Sequence, residues 1–222
     1  MKQLFLRISI ACIAAVLCLP VTAQVPVKSL GGRTSRAEEG ITWGIPFQKG
    51  EIKKGQTFTL TAGDGSAVPV ESWPLAFWPD GSLKWVGFAA VSDAHQQDWT
   101  LQAQKLSGRT AKASPEKPIA RETGDGILVE TGSLTVLVPS SGDRILQDMS
   151  IDGTVVASAG QLVCYTDDTQ TGEGQAITTR TEFTGRVEKV TLLQAGAMRA
   201  AVKIEGKHYT ADGRESWLPF AV

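Results

Sequence analysis

The stretch FWPDGSLKWVGFAA, residues 77–90, decides the fold of the first half of this chain. Residues 79–81, Pro-Asp-Gly, suit a three-residue hairpin loop, because proline presets the first turn position and glycine adopts the left-handed third. The loop predicts that Trp78 pairs with Ser82 and that two antiparallel strands extend away from it.

Side chains alternate along a strand, so the hairpin has two faces. The face that we predict to be buried contains Trp73, Leu75, Phe77, Leu83 and Trp85. Gly87, opposite Trp73, leaves room for an indole ring. The other face is mixed in polarity and contains Pro74, Ala76, Trp78, Ser82, Lys84, Val86 and Phe88.

The mixed face holds two candidate substrate-binding residues, Trp78 and Lys84. A tryptophan beside a charge is common in sugar sites, whereas the plainer interpretation is a face covered by a neighbouring domain. Asp80 is predicted to form the turn and to cap backbone amides. Trp43, Trp78 and Trp99 are the tryptophans to inspect for an exposed sugar-binding row.

Residues 1–23 have the pattern of a secretory signal peptide. A charged start precedes the apolar run 8–19, which is too short for a membrane span, and residues 21–23 are small before the cleavage point. We predict a secreted or periplasmic protein. A lipoprotein attached at Cys12 or Cys18 is the alternative, although Cys18 has no leucine three residues before it.

Charge and composition limit the partners. Without the leader, 20 basic residues stand against 23 acidic ones, a formal charge of −3, which argues against nucleic acid and anionic membranes. Cys164 alone of the three cysteines remains, and we predict it to be a buried apolar residue. His95 and His208 have no partners at ligand spacing, so no metal site is predicted.

Short runs with a period of two, separated by Gly, Asp and Pro turns, predict an all-β chain after the leader. Hairpins are predicted over 57–70, 127–139 and 144–158, the last around an Asp-Gly turn. Three further strands are predicted over 186–222. The acidic segment 166–175, TDDTQTGEGQ, is predicted to be a solvated loop; calcium binding is its alternative, although the spacing does not match an EF-hand.

Two segments are predicted to be linkers, residues 24–40 and residues 107–124, which are polar and lack apolar periodicity. They separate a small β module at 41–106 from a second at 125–222. The printed sequence ends within the apolar strand SWLPFAV, which as an unpaired edge would favour aggregation. We therefore expect the second module to be incomplete and the chain to be part of a longer protein.

The segment KIEGKHYTADGRESW, residues 203–217, places His208, Tyr209, Arg214 and Glu215 around one predicted hairpin. A polysaccharide lyase needs a base for the proton beside a uronate carboxylate and a cation that neutralises this carboxylate. Tyrosine or histidine with arginine meets that need, so His208, Tyr209 and Arg214 are the candidate catalytic residues. The plainer interpretation is an exposed hairpin that carries polar residues.

Several segments together resemble a known family. GITWGIPFQKG (40–50) and WPDGSLKW (78–85) are similar to the N-terminal RIFT-type barrel of the secreted exo-rhamnogalacturonan lyase and YetA-like family. ETGSLTVLVP (130–139) and the segment 196–222 look like the start of that family's central β-sandwich. One departure is QAGAMRA (194–200), which lacks the proline of the family's Gly-Pro-Leu-Arg-Ala-like run.

The resemblance implies a small RIFT-type β-barrel over 41–106, followed by an incomplete β-sandwich over 125–222. It also implies a polysaccharide substrate and, as a partner, a C-terminal (α/α) barrel of the same chain. We expect the N-terminal, largely non-catalytic portion of a lyase or glycoside hydrolase that acts on acidic, pectin- or rhamnogalacturonan-like polysaccharide. No cofactor is predicted, and this portion alone is expected to be inactive. The alternative is a stand-alone carbohydrate-binding or structural β module.

Overall fold

The structure is a computed structural model, and it describes residues 24–28, 38–93, 98–104, 117–172 and 174–222. The chain divides into two compact units, Met1–Lys112 and Ala113–Val222. Every regular element of the described residues is a β-strand, which confirms the all-β prediction. None of the described residues forms a helix long and apolar enough to cross a membrane.

The described residues of the first unit form seven strands in two antiparallel sheets. The strands are β1 (Gln24–Lys28), β2 (Glu38–Pro46), β3 (Phe58–Ala62), β4 (Ala67–Val68), β5 (Glu71–Phe77), β6 (Leu83–Asp93) and β7 (Asp98–Ala103). One sheet has the order β1-β7-β3-β4 and the other the order β2-β6-β5. β6 therefore lies between two partners, β2 and β5.

The alternation of β6 builds the centre of this unit's core. Val86 and Phe88 are buried, and Ile45 and Trp43 of β2 lie opposite them in register. Phe88 meets Phe58 of the other sheet edge to face, with ring centroids 4.9 Å apart. Burying one such side chain contributes roughly 1.5–3 kcal/mol. One face of one strand thus joins the two sheets in a single core.

The turn predicted at residues 79–81 is confirmed. The Trp78 N–H donates to the Ser82 carbonyl over 2.8 Å, and the Gly81 N–H donates to the Trp78 carbonyl over 2.9 Å. Gly81 has a φ of 82°, the left-handed conformation that the third loop position requires. Local turn chemistry was therefore sufficient to locate this hairpin.

Gly87 provides the space for an indole ring that the sequence predicted. It pairs with Trp73, and a Cβ placed on Gly87 would lie 2.4 Å from Cε2 of that ring. The indole therefore lies directly on the backbone of β6, at a distance that only glycine permits.

The prediction of which hairpin face is buried is largely wrong. Of the five residues assigned to the core, Leu83 is buried and Trp73 is partly buried, whereas Leu75, Phe77 and Trp85 are exposed. Trp85 is 41% exposed, although it was expected to be a core residue. Val86 and Phe88, which were assigned to the mixed face, are the residues in the core.

A bulge and a partner strand explain this outcome. Trp73 and Pro74 keep the predicted register opposite Gly87 and Val86, but β5 bulges at Leu75, so Ala76 replaces Leu75 opposite Trp85. Both hairpin faces are rich in apolar residues, so the hairpin alone does not decide which one is buried. β2 decides it, because its inward side chains pair with the Val86 and Phe88 set.

The described residues of the second unit form nine strands in two sheets. The strands are β8 (Ala120–Glu122), β9 (Gly126–Glu130), β10 (Leu134–Pro139), β11 (Leu146–Ile151), β12 (Thr154–Gly160), β13 (Val163–Gly172), β14 (Gln175–Ala195), β15 (Ala200–Tyr209) and β16 (Glu215–Ala221). The sheets have the orders β12-β11-β10-β9-β8 and β13-β14-β15-β16. Buried residues of both sheets share one core, including Ile127, Val138, Val187 and Ile204.

Strong turn signals located most hairpins correctly. The predicted hairpins 57–70, 127–139 and 144–158 correspond to β3–β4, β9–β10 and β11–β12, and three strands occupy 186–222 as predicted. Asp152 and Gly153 have φ values of 48° and 77°, the pattern of a tight hairpin turn.

Three segments predicted to be connections contain strands. Residues 166–172 of the acidic segment lie in β13 and its last residue, Gln175, begins β14, and the two strands pair from Val163–Thr184 to Gly172–Gln175, so the assignment of the segment as a loop is wrong. β1 and the start of β2 lie within 24–40, and β8 lies within 107–124. β1 pairs with β7, which lies far along the chain, so the local sequence around β1 does not predict this strand.

Replacing Gly87 by alanine tests the contact with the Trp73 ring. The added Cβ would overlap the indole, so Gly87→Ala should lower the free energy of unfolding by about 1–3 kcal/mol. Gly44 pairs with Gly87, but a Cβ there meets only ordinary contacts of 3.8 Å, so Gly44→Ala is the matched control. Urea unfolding followed by tryptophan fluorescence reports on this unit, which holds five of the six tryptophans. Equal losses in both variants would contradict the contact.

Candidate functional site

The outward face of β14 carries a row of polar side chains. Arg180, Glu182 and Arg186 alternate with Phe183 and Val187, which are buried. Because successive side chains point to opposite faces, the polar residues share the outer side of the sheet. This period of two, read along 180–187, is the sequence signal that would have revealed the row.

A cleft of about 280 Å³ lies on this face of the second unit. Its lining is Asp143, Gln161, Glu182, Thr184, Gly185, Arg186, Tyr209, Thr210 and Ala211. Thr184 of β14 pairs with Tyr209 of β15, which brings the tyrosine to the same side as Arg186. The cleft therefore combines a phenol, a guanidinium and two carboxylates.

Arg186 is stacked on Tyr209, with its guanidinium carbon 4.4 Å from the ring centroid. Among the described residues, Arg186 has no carboxylate in an ion pair with it. The stacked guanidinium keeps its N–H groups around its rim, where a carboxylate binds through two hydrogen bonds. Arg186 and Tyr209 thus form an open site for an anionic group.

A second arginine–tyrosine pair on the same sheet already has a carboxylate of the protein bound to its guanidinium. The Arg180 guanidinium carbon lies 5.3 Å from the Tyr165 ring centroid. Its Nε and Nη2 atoms donate to both carboxylate oxygens of Asp167, each over 2.8 Å. Those hydrogen bonds from Arg180 hold the pKa of Asp167 below its usual value. The sites at Arg180 and Arg186 therefore differ in whether the protein already supplies the anion.

The two carboxylates of the cleft give it acceptors. Asp143 Oδ2 accepts a hydrogen bond from the Gln161 side-chain amide over 2.8 Å. Glu182 lies beside Thr184 and Arg186 in the lining. Carboxylates of this kind bind the hydroxyl groups of a sugar, while Arg186 suits an acidic substituent.

The three candidate catalytic residues do not come together. His208 is 6% exposed, its Nδ1 lies 3.0 Å from the Leu218 carbonyl oxygen, and its ring packs on Phe220. Consecutive strand residues face opposite sides, so His208 points into the core while Tyr209 reaches the cleft. Arg214 lies at the exposed turn after β15, 6.0 Å from the Phe183 ring. The cation beside Tyr209 is Arg186, which the sequence prediction missed.

Trp78 and Lys84, the candidate substrate-binding residues of the first unit, do lie together. The Lys84 ammonium is 4.8 Å from the centroid of the Trp78 ring, and the indole N–H donates to the Phe47 carbonyl over 3.0 Å. A sugar that stacked on this face of Trp78 would displace the lysine. The structure thus supports a fold-building role for the pair.

Asp80 forms the turn and caps a backbone amide, as predicted. Its Oδ1 accepts hydrogen bonds from the Ser82 backbone N–H over 3.0 Å and from the Ser82 hydroxyl. The Ser82 hydroxyl oxygen in turn accepts from the Gly50 N–H over 2.9 Å. The hydroxyl and amide of Ser82 together hold the pKa of the Asp80 carboxyl below its usual value of 3.8.

Other candidates from the sequence have plainer surroundings. Trp43 and Trp99 belong to the inside of the first unit and not to an exposed row. Cys164 is a free, partly buried thiol, and His95 lies outside the described residues. Within the described ranges, no three His, Cys, Asp or Glu side chains group closely enough to hold a metal ion.

Comparison with known proteins gives two consecutive domain matches. The PcRGLX-like N-terminal RIFT barrel domain matches residues 23–104, and the PcRGLX-like protein central beta sandwich domain matches residues 119–222. The chain is also similar to the uncharacterized protein YetA of Bacillus subtilis (strain 168), at 32% identity over 197 residues. That match covers 88% of this chain but 22% of YetA, so the chain spans about a fifth of its relative's length.

Substitution of Asp80 tests the turn through its pH dependence. A folded-state pKa below the unfolded value means that the carboxylate stabilises the fold above pH 3.8 and that this contribution is lost as the pH falls through the folded pKa. Asp80→Ala should therefore lower the urea midpoint at pH 7. On acidification, the midpoint of this variant should fall less than that of the parent chain. Asp80→Asn, which keeps an acceptor but does not titrate, should retain part of the midpoint at pH 7. Parallel acid profiles for the parent and the alanine variant would refute this role.

Proposed function

We propose that this chain, which belongs to the PcRGLX-like family, is the N-terminal, largely non-catalytic portion of a secreted carbohydrate-active enzyme. The proposed substrate is an acidic polysaccharide of the pectin or rhamnogalacturonan kind. The matched domains bear the names of an N-terminal barrel and a central sandwich, and the match covers only 22% of YetA. These facts support the proposal that the chain acts together with additional domains of a longer polypeptide.

The separation of the candidate catalytic residues is the observation that carries the proposal. A lyase needs a base and a cation on one uronate unit, but His208 is in the core and the Arg214 side chain lies over the Phe183 ring, outside the cleft lining. Tyr209 alone reaches the cleft, where Arg186 covers the face of its ring. The catalytic set predicted from the sequence is therefore not assembled in the cleft, and Tyr209 with Arg186 is left as a pair suited to binding an acidic sugar.

Export is part of the same proposal. Residues 1–23 carry the signal-peptide pattern, a charged start, an apolar run and small residues before the predicted cleavage point. An extracellular or periplasmic location would give the protein access to a polysaccharide that does not enter cells.

The first test is whether residues 24–222 lack catalytic activity. Residues 24–222, incubated with rhamnogalacturonan or polygalacturonate, should produce no unsaturated uronate in ultraviolet absorbance and no new reducing ends. A polypeptide from the same gene, extended to the length of YetA, should produce one of these signals. Turnover by residues 24–222 would refute the non-catalytic assignment. Silence of the extended polypeptide on every uronate glycan would refute the proposed substrate.

A second candidate function, binding of acidic sugar by the sandwich itself, is favoured by the guanidinium of Arg186, which has no ion-pair partner among the described residues. Charged hydrogen bonds of this kind contribute about 1.5–3 kcal/mol, so Arg186→Gln should weaken the binding of trigalacturonate roughly ten- to hundredfold. Calorimetry on residues 24–222 measures this effect.

Arg180→Gln is the matched control, because Arg180 is also stacked on a tyrosine but already binds Asp167. It should leave the affinity for trigalacturonate unchanged. Equal losses in the two variants would indicate a general charge effect and would contradict a specific site at Arg186.

A further inference from the structure

The surroundings of Arg186 correspond to those of Arg180 in strand register. Each arginine of β14 is stacked on a tyrosine of a neighbouring strand, Tyr165 on β13 or Tyr209 on β15. In both pairs, the residue of β14 that lies opposite the tyrosine is two positions away from the arginine. The two sites can therefore be compared position by position.

One corresponding position differs in the sign of its charge. The residue directly opposite Arg180 is Asp167, whereas the residue directly opposite Arg186 is Lys207. Directly opposite side chains have Cβ atoms about 5 Å apart, so each lies within reach of its arginine. Asp167 binds Arg180 with both carboxylate oxygens. A lysine cannot do the same, which explains why Arg186 has no ion-pair partner among the described residues.

Lys207 is held in position by Glu215 on the next strand, β16. The Lys207 Nζ lies 2.8 Å from Glu215 Oε1, and 41% of the lysine side chain is exposed. The hydrogen bond to Glu215 raises the pKa of Lys207 above its usual value of 10.5, so the ammonium is charged at neutral pH. An ammonium has three donors. Because Glu215 takes one of them, donors remain for a second acceptor.

The charges beside Arg186 favour an anion there. The next cleft-lining residue along β14 is the neutral Thr184, and Glu182 follows it. A carboxylate placed beside Arg186 would thus have a cation across the strand pair and a hydroxyl group along the strand. A neutral group in this place would leave two adjacent cations without a counter-charge from the ligand.

We propose that Lys207 is a second binding residue for the carboxylate of an acidic sugar at Arg186. The sugar carboxylate takes the position beside Arg186 that the Asp167 carboxylate takes beside Arg180, and the Lys207 ammonium donates to it. This inference rests on the second candidate function, binding of acidic sugar by the sandwich. It makes the site specific for a sugar acid over the corresponding neutral sugar.

Calorimetric titration of residues 24–222 with trigalacturonate tests the role of Lys207. Lys207→Gln keeps a donor but loses the charge, so it should weaken binding about two- to fivefold, the effect of an exposed ion pair. Lys207→Asp gives Arg186 the same neighbour that Arg180 has, so it should weaken binding at least about tenfold. Circular dichroism of each variant checks that the sandwich is folded.

Lys203→Gln is the matched control. Lys203 is on the same strand and face as Lys207, is 42% exposed and lies 2.6 Å from Glu205, but the residue opposite it is Thr191. Its substitution should leave the affinity for trigalacturonate unchanged. Equal losses from Lys203→Gln and Lys207→Gln would indicate a general effect of charge and would overturn the proposal.

The trimethyl ester of trigalacturonate shows whether Lys207 acts on the carboxylate. The ester has the same sugar units without their charge, so the parent chain should bind it more weakly than the acid. Lys207→Gln should reduce this difference and leave the affinity for the ester unchanged. A merely structural role would lower both affinities alike, and that result would also overturn the proposal.

Failure of this inference and failure of the function beneath it give different results. If the parent chain binds trigalacturonate and neither substitution of Lys207 weakens the binding, the role of Lys207 alone is wrong. If the parent chain does not bind trigalacturonate, the second candidate function is wrong, and this inference falls with it.

Discussion

The alternation of side chains along β6 is the constraint on which the barrel depends. One set of its residues, Val86 and Phe88, enters the core and contacts both sheets. The other set includes Gly87, which has no side chain, so the Trp73 ring packs directly on the backbone of β6. A shift of one residue would turn Val86 and Phe88 outward and bring the Gly87 face, with the Trp73 ring, into the core. The register of β6 is fixed by its pairing with β2 on one side and β5 on the other.

The same rule of alternation produces the cleft of the second unit. β14 sends Phe183 and Val187 inward and Arg186 outward, and β15 sends His208 inward and Tyr209 outward. Residues adjacent in sequence therefore end in different environments, and a residue far away in sequence completes the site. Arg180 and Arg186 differ in whether a carboxylate of the protein already binds the guanidinium. Asp167 lies opposite Arg180 and binds it, whereas no carboxylate pairs with Arg186 among the described residues.

Turns were the most predictable part of this protein. Pro79 to Gly81 and Asp152-Gly153 encode their conformation within a few residues, so the sequence located these hairpins without knowledge of the core. Strands such as β1 and β8 were missed, because their partners lie outside their own segments or they are very short. The acidic stretch 166–175 is polar throughout, which is the composition of an exposed hairpin as well as of a loop, so composition alone does not distinguish the two.

The sequence by itself determined the all-β class, the positions of the tight turns and the family, because these depend on local conformation and on short motifs. The tertiary structure decided that Trp85 is exposed, that Tyr209 meets Arg186 in place of Arg214, and that Lys207 lies opposite Arg186. Each of these outcomes depends on a bulge or on strand pairing, and pairing joins segments whose separation in the chain carries no local signal. Side-chain alternation limits every residue to one of two faces, and the partner strand selects which face is buried.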